Sequence, residues 1–277
     1  MTGFLSTRHL VLFGLLLLAV AALYADIFHG LYGDWLHDEN YSHGFLVPLI
    51  AAYFAWSRRQ ALEQLDIKPA VSGLVLIVFA LLVLLAGVAA QEYYTRRASF
   101  IFLLAGLIVF FFGWRWLRAL LLPVGFLFFM IPLPYVIYDA ISFPLKLFVA
   151  QFSVETLKLI GVVVLREGNI IMFPHTVLEV ADACSGLRSI VSLLALGVTL
   201  AVLTQGKMSR KVLLVALTIP IAVFTNMMRV IITGYLAQHY GSAVAEGFFH
   251  DFAGMGVFLA AMVLLFISSG LLRKFWP

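Results

Sequence analysis

Long apolar runs alternate along this chain with short polar connections, and most of the runs are apolar on every helical face, unlike the one-sided helices of a water-soluble core. Eight stretches stand out, over about 10–28, 43–57, 71–90, 98–113, 117–138, 186–204, 211–235 and 253–272. A helix needs roughly 20 mostly apolar residues to cross the hydrocarbon core of a bilayer, so 277 residues with short loops accommodate about eight crossings. The pattern predicts an all-α polytopic membrane protein with about eight transmembrane helices. The second stretch is short and the fifth carries Pro123, Pro132 and Pro134, so these two depart most from regular helix.

The one long connection, between the fifth and sixth stretches, has its own periodicity. From Asp139 to Gly161, Lys146, Gln151, Glu155 and Lys158 interrupt Phe143, Leu147, Phe148, Phe152, Leu157 and Leu159, the spacing of an amphipathic helix lying in the interface. Glu167-Gly168-Asn169 reads as a turn, and 170–180, broken by Pro174, as extended chain. The expected organisation is a single integral membrane domain over 1–277, in which 139–183 forms an extracytoplasmic amphipathic and extended insertion. The sequence suggests no internal repeat, separate soluble domain or cleavable signal peptide, and the first apolar run reads as a retained anchor.

Composition sharpens this reading. Hydrophobic residues make up 63% and charged residues 12%, with a mean hydropathy of +1.05, too little polar surface for a water-soluble domain of this size. The pI of 9.2 comes from basic loops, and no nucleic-acid partner is expected. With a cytoplasmic N-terminus the inner loops hold Arg8, Arg58, Arg59, Lys68, Arg115, Arg118, Lys207, Arg210, Lys211, Arg273 and Lys274. The outer ones hold Arg96, Arg97, Lys146, Lys158 and Arg166. The bias places both termini in the cytoplasm, with Arg96 and Arg97 running against it.

Candidate chemistry gathers on the opposite side. Cys184, the only cysteine, lies where a polar stretch becomes the sixth apolar run, with Arg188 one turn later; a thiol at a helix N-terminus beside positive charge is placed to ionise. Arg229 falls near the outer end of the seventh run with Asn226 three residues before it, and His250 beside Asp251 precedes the eighth. A thiolate is a nucleophile, an imidazole can give and take protons, and a guanidinium can stabilise an oxyanion. Together they point to acyl transfer through a thioester. Taken singly, each has a plainer reading: a buried thiol, a snorkelling arginine, a solvated His-Asp pair.

Ala-Cys-Ser-Gly-Leu-Arg-Ser at 183–189, which includes Ser185, Asn226-x-x-Arg229, His250-Asp251, Tyr41-Ser-His-Gly-Phe-Leu-Val-Pro-Leu at 41–49 and Ile131-Pro-Leu-Pro resemble the exosortase family, within the exosortase and archaeosortase group. The likeness runs from about 41 to 270. It implies a multi-pass protein of the bacterial inner membrane with its site facing the periplasm. The implied activity is that of a cysteine transpeptidase acting on exported, membrane-anchored proteins that end in a Pro-Glu-Pro motif, a transmembrane helix and a basic tail. The family's cysteine, arginine and histidine map onto Cys184, Arg229 and His250, while Arg188, Asn226, Asp251, Ser185 and His43 are candidates for support or substrate binding. The acceptor nucleophile is not specified by the resemblance, and no cofactor or metal is implied.

Two other classes predict different features. A metal-dependent hydrolase could use His29, His37, Asp38 and His43, all ligand types, but no His-Glu-x-x-His helix accompanies them. A transporter predicts ionisable groups at mid-membrane and interrupted helices in repeated positions, whereas here they cluster at the ends of runs.

Overall fold

An apolar run in hydrocarbon has no water for its amides, so it must close its hydrogen bonds within itself, as helix. The computed structural model describes residues 7–174, 177–180, 187–241 and 248–275. Its helices are α1 (Thr7–His37), α2 (Leu46–Ser57), α3 (Arg59–Glu63), α4 (Ser72–Ala89), α5 (Tyr93–Phe112), α6 (Trp114–Phe126), α7 (Tyr135–Leu159), α8 (Leu187–Thr204), α9 (Met208–Tyr240) and α10 (Phe248–Phe275). Among the described residues six helical segments are long and apolar enough to cross a membrane: Val11–His37, Ser72–Ala89, Tyr93–Phe112, Tyr135–Leu159, Met208–Tyr240 and Gly254–Phe275. The shorter helices α2 and α6 and the apolar segment Ile190–Thr204 of α8 complete an all-α polytopic membrane fold.

The chain packs as two units, 1–132 and 133–277. In the first, α4 and α5 form a close hairpin whose glycines let backbone meet backbone. A methyl group at Gly73 would strike the Phe110 main chain, and one at Gly106 would lie 2.9 Å from Ile77. Glu92 starts α5 as its N-cap, accepting from the amides of Tyr94 at 2.9 Å and Thr95 at 2.6 Å. Arg96 returns to the last turn of α4, donating to the Gly87 carbonyl at 3.0 Å and that of Val88 at 3.4 Å. Arg97, buried, pairs with Asp34 of α1 at 2.7 Å. Below it Tyr24 and Ser99 share a buried 2.9 Å hydrogen bond.

In the second unit α7 leads into a three-stranded antiparallel sheet, β1 (Leu165–Glu167), β2 (Ile170–Met172) and β3 (Val177–Glu179), with Arg166 opposite Ile171 and Ile171 opposite Leu178. The first turn places Gly168 at φ +62°, in the left-handed region. Val149, Val154 and Leu157 of α7 pack with Ile171, Phe173 and Val180 and with Val230 and Ile231 of α9. A second core joins Leu193 and Leu200 of α8, Leu214 and Ala222 of α9, and Ala261 and Leu265 of α10. Buried Gln205, just past α8, donates to the Ser269 carbonyl at 3.0 Å, tying α8 to α10.

Several sequence boundaries move. The first stretch, expected to end near 28, continues as α1 to His37 and carries His29 and His37 in helix, and the eighth begins at Phe248 rather than 253. The fifth apolar stretch, expected over 117–138, is cut: α6 ends at Phe126, a 3-10 turn follows over Leu127–Met130, and Ile131 is extended at φ −96°, ψ 122°. Pro132 and Pro134 cause the cut, since neither offers an amide hydrogen. The amphipathic helix therefore starts at Tyr135 rather than 139, and by length and composition it too could cross a bilayer. The seventh stretch continues five residues past 235, to Tyr240, where Gly241 at φ +82° ends it.

Candidate active site

The candidate residues of the second unit fall just before and at the start of α8, in the interior of α9 and at the start of α10. Cys184 and Ser185 lie outside the described residues, in the stretch leading directly into α8. Arg188 falls in the first turn of α8, and His250 and Asp251 in the first turn of α10. The side chains of Arg188, His250 and Asp251 are likewise outside what the structure describes.

Arg229 and Asn226 are fully placed. On α9 the buried positions Thr218, Ala222, Thr225, Asn226, Arg229 and Val230 recur at steps of three and four, so the polar residues share the face that packs on neighbouring helices. Asn226 is 1% exposed and Arg229 8%, and each is engaged by neighbours. An arginine held this way is not snorkelling to a surface. The longer α9 also leaves Arg229 eleven residues before the helix end rather than close to it, as the sequence boundary had suggested.

The guanidinium of Arg229 lies over α10 at Gly254. A methyl group there would sit 3.7 Å from its carbon and Nη2 and 3.8 Å from Nη1. Gly254 follows His250 by four residues, one turn along the same helical stripe. Sequence reasoning did not single out Gly254; its spacing from His250 was the available signal. Between α9 and α10 a cleft of about 370 Å³ is lined by Thr225, Met228, Arg229, Gly256, Val257 and Ala260, among others. The arrangement sets a permanent cation with several donors against a largely apolar cleft, where it acts more strongly on developing negative charge than in water.

His43 sits elsewhere, in the first unit, in a 3-10 helix over Glu39–Phe45 that Asp38 caps through the Asn40 amide at 2.8 Å. Its Nε2 lies 3.2 Å from the Phe129 carbonyl, and it also hydrogen-bonds the backbone of Asn40. Burial pushes its pKa down, outweighing those two backbone contacts, which favour the imidazolium. Of the other histidines read as possible ligands, His37 is held by the Gly33 carbonyl of its own helix at 3.0 Å. Among the described residues no group of three or more His, Cys, Asp or Glu could hold a metal ion.

The sequence model of the transmembrane exosortase family (Exosortase_EpsH) matches residues 35–267, most of the chain. No curated protein and no solved structure matches it. The matched span takes in Cys184, Arg229 and His250 together with both units of the fold, and on that match the chain belongs to the transmembrane exosortase family.

Proposed function

We propose that this chain is a membrane-embedded cysteine transpeptidase that cleaves a C-terminal sorting signal of exported, membrane-anchored proteins and transfers the new carboxyl end to an acceptor. In this reading the Cys184 thiolate attacks the scissile carbonyl carbon, and the negative charge that develops on its oxygen is met by Arg229. The tetrahedral intermediate collapses with cleavage of the C–N bond. The leaving amine takes a proton from the His250 imidazolium, leaving a thioester on Cys184. An acceptor amine or hydroxyl then gives its proton to His250, attacks the thioester and releases the thiolate.

The observation that carries the reading is the burial of Arg229 against Gly254, one helical turn from His250, within a chain of exosortase type. A cation kept at 8% exposure between two apolar helices has a use for its charge there. Supporting roles follow by chemistry. Asn226 shares the buried face of Arg229, Asp251 orients the His250 ring, and Arg188 pairs with an acidic residue of the substrate. Ser185 offers a donor next to the nucleophile. The protein resides in the bacterial inner membrane as one integral domain over 1–277, both termini cytoplasmic. Its site and the 139–183 insertion face the periplasm, where lipid confines the anchored substrate to the same plane.

The test is a substrate carrying the Pro-Glu-Pro, transmembrane and basic segments, followed by gel mobility in membranes with wild-type chain, Cys184→Ala and Cys184→Ser. Cleavage lost in both variants, and a hydroxylamine-labile adduct on the wild-type chain, are the expected results. Cleavage that persists in Cys184→Ala overturns the proposal.

A further inference from the structure

In the first unit, one of the stretches singled out in the sequence, 41–49, meets the broken end of α6, where the other, 131–134, begins. The 3-10 turn Leu127–Met130 makes its last backbone hydrogen bond from the Ile131 amide to the Phe128 carbonyl, at 3.2 Å. In that register the Phe129 carbonyl would next accept from residue 132, a proline with no hydrogen to give. The Met130 carbonyl would accept from Leu133, but the chain turns extended at Ile131, φ −96°, ψ 122°, and the 3-10 turn ends. Met130 is buried, 3% exposed, and Phe129 partly buried, so leaving their carbonyls without a donor is costly.

Two side chains reach these carbonyls. Trp35 Nε1 donates to Met130 at 2.9 Å, and His43 Nε2 lies 3.2 Å from Phe129, where it too must donate. Both come from the end of α1 and the 3-10 helix that follows, and local packing holds them there. A Cβ on Gly44 would fall inside the Trp35 indole, so only glycine lets that ring cross the turn, and Phe45 packs its edge against it at 5.2 Å between centroids.

We propose that Trp35 and His43 form a side-chain cap on the proline-broken end of α6, His43 standing in for the amide hydrogen that Pro132 lacks and Trp35 for the one that the extended chain beyond Ile131 no longer offers. The two stretches are then one structural module, and His43 is a positioning residue within it. This role is independent of the transpeptidase reading: it needs neither substrate nor metal.

The experiment is thermal unfolding of the full-length protein in lipid nanodiscs, with His43→Phe, His43→Gln, Trp35→Phe, Pro132→Ala and the double variant His43→Phe/Pro132→Ala. Phenylalanine keeps the ring's bulk and removes the donor, whereas glutamine restores an N–H near the Nε2 position. His43→Phe and Trp35→Phe are expected to lower Tm by several degrees and His43→Gln by much less. Pro132→Ala returns an amide hydrogen to the Phe129 carbonyl, so His43→Phe should lose less in that background than alone. A His43→Phe protein as stable as wild type, a His43→Gln protein no better than His43→Phe, or strict additivity with Pro132→Ala overturns the proposal. Should His43→Phe fail to fold, a Trp35→Phe protein with unchanged Tm, or failure of His43→Gln to fold, overturns it equally. A folded His43→Gln together with a lowered Tm in Trp35→Phe upholds it.

Discussion

Arg229 and Gly254 are in steric register across two helices: a Cβ at 254 would already touch the guanidinium, 3.7 Å from its carbon and Nη2. A Cβ 3.7 Å away is an ordinary contact, so Gly254→Ala should keep both fold and processing, within about twofold of wild type. Gly254→Leu must push the guanidinium aside. A displacement of about 1 Å at a group that stabilises a transition state costs on the order of 10²-fold in rate. Substrate cleavage by membranes containing each variant, normalised to protein level, measures this; equal activity of the Leu and wild-type proteins would remove Arg229 from the reaction.

Arg229→Lys tests the guanidinium itself. Lysine keeps the charge but replaces a planar fork of donors by a single ammonium on a flexible stem. If Arg229 meets the oxyanion through directed hydrogen bonds, the loss of kcat should be about 10²-fold or more with KM little changed. A purely structural arginine predicts a lower Tm with near-normal turnover in the protein that remains folded, a split that paired stability and kinetic measurements resolve.

The helical spans were legible because an apolar run in hydrocarbon leaves the backbone one solution. The turn at Glu167-Gly168-Asn169 was legible because Gly168 takes a left-handed φ. What could not be read was what individual charges and prolines do once helices meet. Arg96 and Arg97 run against the charge bias because they serve packing: one closes the last carbonyls of α4, the other pairs with Asp34. Pro132 and Pro134 flagged irregularity without saying whether the helix would kink or stop; it stops, and Trp35 and His43 meet its end. Among the candidate residues, Arg229 and Asn226 stood out by chemistry, whereas Gly254, offered only by its spacing from His250, gains meaning from a neighbour on another helix.

The Arg97–Asp34 pair should dominate the stability of the α1–α5 contact. Asp34→Asn leaves a buried cation without its counter-charge, since Arg97 is 6% exposed. Removing one partner of a fully buried pair costs about 3–5 kcal/mol; the 40% exposure of the Asp34 side chain lowers the expectation to about 2 kcal/mol. Asp34→Asn/Arg97→Met, which removes both charges, should recover much of the loss. Denaturant titration of the three proteins in detergent decides it, and a double variant less stable than Asp34→Asn would contradict the argument.

Glu92 links the start of α5 to pH. Burial opposes its charge, but hydrogen bonds from the Thr95 side chain and from the amides of Thr95 and Tyr94, with the Arg97 charge, outweigh it and hold the carboxyl below its ordinary 4.5. A depressed carboxylate adds stability that is complete above the unfolded value and disappears as pH falls through the folded one. Glu92→Ala should therefore be about 1 kcal/mol less stable than wild type at neutral pH. The gap should close on acidification below 4.5. A gap that stays constant from pH 7 to pH 3 would mean the cap does not work through the ionised form.

His43 has the opposite chemistry and a different window. Its ordinary pKa of 6.5 is pushed down by burial, which outweighs the Phe129 and Asn40 backbone contacts. The folded protein thus takes up the proton less readily than the unfolded chain. Between the ordinary value and the lower folded one the unfolded state binds more protons, so acidification favours unfolding there and has no such effect above or below. Measured as the difference between wild type and His43→Gln, stability should be level above pH 6.5, fall as pH drops through that value, and level off again once the folded ring is protonated. Both backbone contacts favour the charged ring, so the loss is the part of the burial cost that they do not offset. Thermal unfolding of both proteins from pH 8 to pH 4 provides the difference curve, and a curve that rises on acidification would show that the two backbone contacts, not burial, govern this histidine.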